Sequence, residues 1–127
     1  MHITLEADYA VRIVNSLAQA KGRMDAKSVS ESTGVTLRFS LKILHKLVSA
    51  GIVRSYKGTH GGYELARPGS EITLRDVIET VEGPYAFSRC LTPGFTCSCP
   101  PDCRFQGVYD DISEIVRKKL SEVHFGG

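Results

Sequence analysis

Apolar residues recur at three- and four-residue spacing through Leu5, Tyr9, Ala10, Ile13, Val14 and Leu17, which predicts an amphipathic helix from about Leu5 to Ala20. Thr4 stands where a cap is needed, and Gly22 follows the end. A shorter run, Ala26 to Ser32, opens after Asp25 and stops at Gly34, with Ala26 and Val29 facing inward. Thr36 is placed to cap a third helix, Leu37 to Ala50, in which Leu37, Leu41, Leu44, Leu47 and Val48 form one stripe. Arg38, Lys42, His45 and Lys46 lie largely off that stripe. The period then changes: Ile52 to Tyr56 reads as a strand, Lys57 to Gly62 as a glycine-rich turn and Tyr63 to Ala66 as the returning strand. Helical spacing resumes at Leu74, Val77, Ile78 and Val81, behind the capping candidate Thr73, and ends at Gly83-Pro84. The last run, roughly Phe105 to Val123, carries Val108, Ile112, Ile115, Val116, Leu120 and Val123 opposite a charged face.

This order predicts a mainly α protein with a small β-wing: a winged helix-turn-helix followed by a long C-terminal dimerisation helix. Two short helices separated by Thr33-Gly34-Val35-Thr36 fit the unit that lays its second helix in a DNA major groove. The expected organisation is a DNA-binding unit with a linking helix over 1–83, a cysteine-rich loop over 84–104, and a dimerisation helix and tail over 105–127. At 127 residues, 42% of them hydrophobic, the chain is one domain's worth of material. Acidic residues at the amino end, where a signal peptide needs basic ones, and the lack of a long apolar run predict a cytoplasmic protein with no membrane partner. No phosphate-binding glycine loop with its lysine, and no set of nucleophile and base, can be assembled, so an enzyme is not expected.

Charge sharpens the picture. Residues 1–70 carry ten Lys and Arg against five Asp and Glu, whereas residues 71–127 carry six against nine. A basic front half suits a double-stranded DNA operator as partner. Near the amino end of the third helix, Arg38, Ser40 and Lys42 are placed to meet base edges, with Thr36 beside them, and an arginine can pair bidentately with guanine. Lys46 is farther along, where a phosphate contact is expected. In the hairpin, Arg54, Lys57, Thr59 and His60 supply donors, and Gly61 lets the backbone approach DNA closely.

All four cysteines fall within fourteen residues, as Cys90-x6-Cys97-x-Cys99-x3-Cys103, together with three of the five prolines. Pro and Gly at this density predict a loop. In a reducing compartment, clustered thiols point to metal binding or redox sensing rather than to structural disulfides. The spacing lacks the paired Cys-x2-Cys knuckles of a zinc ribbon. An iron-sulfur cluster therefore ranks above a structural zinc, which ranks level with a metal-free thiol-disulfide switch; control by a partner protein or metabolite is a further alternative.

The sequence also resembles the Rrf2 family of winged-helix transcription regulators over nearly its whole length. The matching features are Ile3-Thr4 to Asp8-Tyr9-Ala10, the stretch Leu44 to Val53, the hairpin Gly61-Gly62-Tyr63-Glu64-Leu65-Ala66-Arg67-Pro68, and Ile72 to Glu79 through Val81-Glu82-Gly83-Pro84. The resemblance implies a homodimer that senses redox state, nitric oxide or iron supply through a 2Fe-2S or 4Fe-4S cluster. It also implies Cys90, Cys97 and Cys103 as ligands, with Asp8 of the other subunit or Cys99 as the fourth. Some members use a histidine three residues past the last cysteine; here that position is Gln106. Leu41 likewise departs from a glutamate that takes part in base choice in one branch of the family.

Overall fold

In a computed structural model, residues 3–20, 22–87 and 104–125 are described, and each predicted helix has its counterpart. The first, α1 (Leu5–Gln19), starts where the Thr4 hydroxyl accepts from the Ala7 amide at 3.1 Å. Glu6 and Asp8 in its first turn complement the helix dipole. It buries Ala7, Ala10, Ile13, Val14 and Leu17. The expected stripe is therefore turned: Leu5 is 63% exposed, and the small Ala7 takes the inner position. Small residues there let the later helix α4 pack closely across α1.

The helices α2 (Ala26–Thr33) and α3 (Leu37–Ser49) are capped by Asp25, which accepts from the Ser28 amide at 2.7 Å, and by Thr36. Between them Val35 is buried, and its carbonyl accepts from the Ser30 and Ser40 hydroxyls at once. Both lone pairs of one turn carbonyl are thus used to fix the angle between the helices. α3 buries Ser40, Ile43, Leu44 and Leu47. Leu37 and Leu41, expected on the core stripe, are instead 46% and 42% exposed. Its end is a Schellman turn, with Gly51 N–H donating to Val48 O and Ile52 N–H to Leu47 O.

The strands β1 (Val53–Tyr56) and β2 (Gly62–Leu65) pair antiparallel, Val53 opposite Leu65 and Tyr56 opposite Gly62. Met24, ahead of α2, exchanges both backbone hydrogen bonds with Tyr63, at 2.9 and 2.7 Å, and so pairs with the outer edge of β2 close to its turn end. Gly62 permits this, because a Cβ there would sit 2.8 Å from the Met24 carbonyl. A 3-10 turn, Gly69–Glu71, leads to α4 (Leu74–Glu82). Thr73 and Asp76 form a reciprocal capping box at its start. α4 buries Val77 and Ile78.

The last helix, α5 (Arg104–Glu122), packs along α4. Ser113 is its one fully buried residue; Ile112, Val116 and Leu120 are half-buried, while Phe105, Val108 and Ile115 are exposed. Beyond it the chain turns back. The Leu74 amide donates to Val123 O at 2.8 Å, His124 bridges Thr73, and Phe125 is buried near Ile72 in the core. The terminal segment is thus anchored to the start of α4. No helix among the described residues is long and apolar enough to cross a membrane.

Candidate nucleic-acid interface

With Ser40, Ile43, Leu44 and Leu47 inward, the opposite side of α3 is fixed by the 3.6-residue period. Arg38, Lys42, His45 and Ser49 form that outward row, and all are exposed. Leu37 and Leu41 flank it on one side. On the other side, Phe39 meets the edge of Tyr9 from α1, ring centroids 5.9 Å apart. Thr36 is exposed at the helix start, its hydroxyl accepting from the Phe39 amide. Ser40 does not belong to this surface. Its side chain is fully buried and donates to the Val35 carbonyl, so the expectation that it meets base edges is corrected.

Lys46 is held rather than free. Its ammonium donates to Glu6 Oε1 of α1 at 2.8 Å, and Lys42 Nζ lies 3.9 Å from the same oxygen. The Lys46 hydrogen bond, aided by the charges of both lysines, lowers the Glu6 carboxyl below its ordinary range despite the opposing effect of burial.

The hairpin places Arg54 of β1 and Lys57, Thr59 and His60 of the turn on the surface. Gly61 is half-buried, and a Cβ there would fall 2.4 Å from the Tyr56 carbonyl, so its smallness serves the turn itself. Arg23 was not singled out by sequence reasoning, yet it shapes this tip. Its guanidinium lies 3.4 Å from the centroid of the Tyr56 ring and donates to the His60 carbonyl at 3.2 Å. The Tyr56 hydroxyl in turn donates to Glu64 at 2.6 Å. A lone arginine in a loop between helices carries no periodic signal that would have found it.

Cys90, Cys97, Cys99 and Cys103 lie outside the described residues. Among the described residues, no three His, Cys, Asp or Glu side chains converge as a metal site. Asp8 is half-exposed and pairs with Arg12 at 3.0 Å, four residues along α1. The segment leading to the cysteines is tied on both sides. The Tyr85 amide donates to Glu79 of α4 at 2.6 Å, and its carbonyl accepts twice from the Arg117 guanidinium of α5, at 2.9 and 2.6 Å. Two residues on, the Phe87 amide donates to the buried Ser113 hydroxyl at 2.8 Å, and its ring packs on Tyr109. In donor chemistry alone, four thiols within fourteen residues are of the kind a thiophilic centre takes.

The profile of a family described as Rrf2, iron-dependent transcriptional regulator, matches residues 3–126. An HTH-type transcriptional regulator of Mycobacterium tuberculosis is 34% identical over 124 residues, covering 96% of this chain and 77% of that protein. Among solved structures, T. potens IscR superposes with a TM-score of 0.77 at 25% identity, covering 98% of this chain and 82% of the other. Staphylococcus aureus CymR in its oxidised form gives 0.76 at 26% identity, covering 99% and 94%. A family match from residue 3 to residue 126, on a fold of five helices and a two-stranded wing, shows that the chain belongs to the Rrf2 family of DNA-binding transcriptional regulators, which are not enzymes.

Proposed function

We propose that the chain binds an operator as a homodimer, with α3 in the major groove and the hairpin on the flanking backbone, and that its cysteine segment carries an iron-sulfur cluster governing that binding. The observation that carries the DNA reading is the outward row Arg38, Lys42 and His45, continued at the hairpin by Arg54, Lys57, Thr59 and His60. Dimerisation is supported by α5, whose Phe105, Val108 and Ile115 are exposed; a helix with apolar residues on its open side is suited to a second copy. We assign 1–83 to DNA binding, 84–104 to sensing and 105–127 to pairing, in the cytoplasm.

For the cluster, Cys90, Cys97 and Cys103 are the proposed thiolate ligands, with Asp8 of the partner subunit or Cys99 completing the set. Thiolates are the usual ligands of iron-sulfur centres, and such a centre supplies a redox-active, nitric-oxide-reactive group. As a ligand Asp8 would have to leave Arg12, whereas Cys99 already lies within the segment. Anaerobic purification followed by a visible spectrum with iron, sulfide and zinc analysis tests this reading. Iron and acid-labile sulfide in matching amounts support it, and their loss in Asp8→Ala or in Cys99→Ala identifies the fourth ligand. A protein that holds zinc alone, even after anaerobic reconstitution, would exclude the cluster.

A thiol-disulfide switch is the second reading, favoured by one observation: a similar protein, S. aureus CymR, has been solved in an oxidised form. A free-thiol count before and after oxidant distinguishes it, since a disulfide removes two thiols without any metal.

A further inference from the structure

We propose that Glu6 is a specificity-determining residue of the DNA surface: its carboxylate engages Lys46 and Lys42 and holds these lysines back from indiscriminate contact with phosphate. The inference rests on α3 being the reading helix. Lys42 stands in the outward row of α3 and Lys46 on the flank that faces α1. One carboxylate oxygen of α1 reaches both ammonium groups, at 2.8 and 3.9 Å. Arg38 and His45, in the same outward row, have no ion pair among the described residues. The acid therefore acts on the lysines of the row and its flank and leaves the arginine at its amino end untouched.

Sequence-independent attraction to DNA comes from cations that neutralise phosphates and release counterions. A lysine already neutralised by Glu6 releases none unless the pair is broken. In loose, unregistered binding the lysines are most of what holds the protein, and there the pair subtracts most. In a registered complex the base contacts of α3 fix its position, so Lys46 can remain on Glu6 with little loss. Glu6 thus lowers the part of the affinity that does not read sequence.

The test compares affinity for a short duplex of mixed sequence with that for the best binder selected from a random-sequence pool, each over a series of salt concentrations. In Glu6→Gln, the affinity for mixed sequence should rise roughly 3- to 10-fold, and its salt slope should steepen by about 1 per chain, with a smaller gain for the selected duplex. Lys46→Gln should cost less than about twofold alone and should remove most of the gain when combined with Glu6→Gln. Glu82→Gln, the same charge change at an exposed site on α4, serves as the remote control. Thermal melts establish that every variant is folded.

An unchanged slope in Glu6→Gln, a shift matched by Glu82→Gln, or an equal gain on both duplexes would overturn the proposal while leaving the reading helix intact. Arg38→Ala separates the two claims. If it left the affinity for the selected duplex unchanged, α3 would not be the reader, and the proposal would fall with it.

Discussion

Ser40 and Arg38 lie two positions apart on α3 and have opposite fates, because two positions along a helix is about 200° around it. Ser40→Ala should cost about 0.5–1.5 kcal/mol of stability, since the Val35 carbonyl keeps its bond from Ser30, and should leave the salt dependence of DNA binding unchanged. Arg38→Ala should leave the melting temperature near wild type and weaken binding to a selected duplex by roughly 10- to 100-fold, the worth of a good base contact. Urea titration and fluorescence anisotropy would check the pair. The acids at helix starts give a second expectation. The Ser28 amide holds the Asp25 carboxyl below its ordinary range, and Lys46 does the same for Glu6. A carboxyl depressed in the folded state contributes stability above its unfolded pKa and loses it as pH falls through the folded one. Stability should therefore decline as pH drops below about 4, and more gently in Asp25→Asn, which keeps an acceptor at the cap but does not titrate.

Helix starts were legible because a cap is a local event: Thr4, Asp25, Thr36 and Thr73 each bond an amide three residues on. Which face a helix buries was less so. Hydrophobicity scores Leu5, Leu37 and Leu41 as core, but the packing of α1 turns on the smaller Ala7 and Ala10, and that of α3 on a serine whose hydroxyl has a partner in the turn. The ties around Tyr85 were not legible either, since Glu79 and Arg117 are charged residues that periodicity assigns to solvent. They make the segment before the cysteines part of both α4 and α5. Arg117→Ala removes both donors from the Tyr85 carbonyl and should cost about 1–3 kcal/mol, read by urea denaturation. On α5 itself, Ile115 is 69% exposed. Ile115→Glu should leave the fold intact and, in sedimentation equilibrium, shift the protein towards monomer.

At the scale of the whole molecule, the core is closed by residues distant in sequence. Phe125 lies near Ile72, and its amide donates to the carbonyls of Gly69 and Ile72. Phe125→Ala should destabilise by about 3–5 kcal/mol, visible as a lowered thermal midpoint. No sequence period announces this return, because a two-residue bridge has no repeat to detect. The candidate site divides in the same way. Its DNA-facing side chains were legible as charge on a helix and a hairpin, whereas the devices that hold them, Arg23 on Tyr56 and Glu6 on Lys46, are single long-range pairs.

The bridge between Met24 and Tyr63 carries one more consequence. It joins the turn end of β2 to the segment between α1 and α2, so the outer part of the hairpin cannot leave the surface without breaking two backbone bonds to that segment. Amide hydrogen exchange at Met24 and Tyr63 should then be slow and governed by one shared opening, while Lys57 to His60 at the tip exchange fast. The hairpin would meet DNA with its strands already pinned close to the turn, so that association orders the turn residues alone and the conformational entropy lost on binding is confined to a few residues.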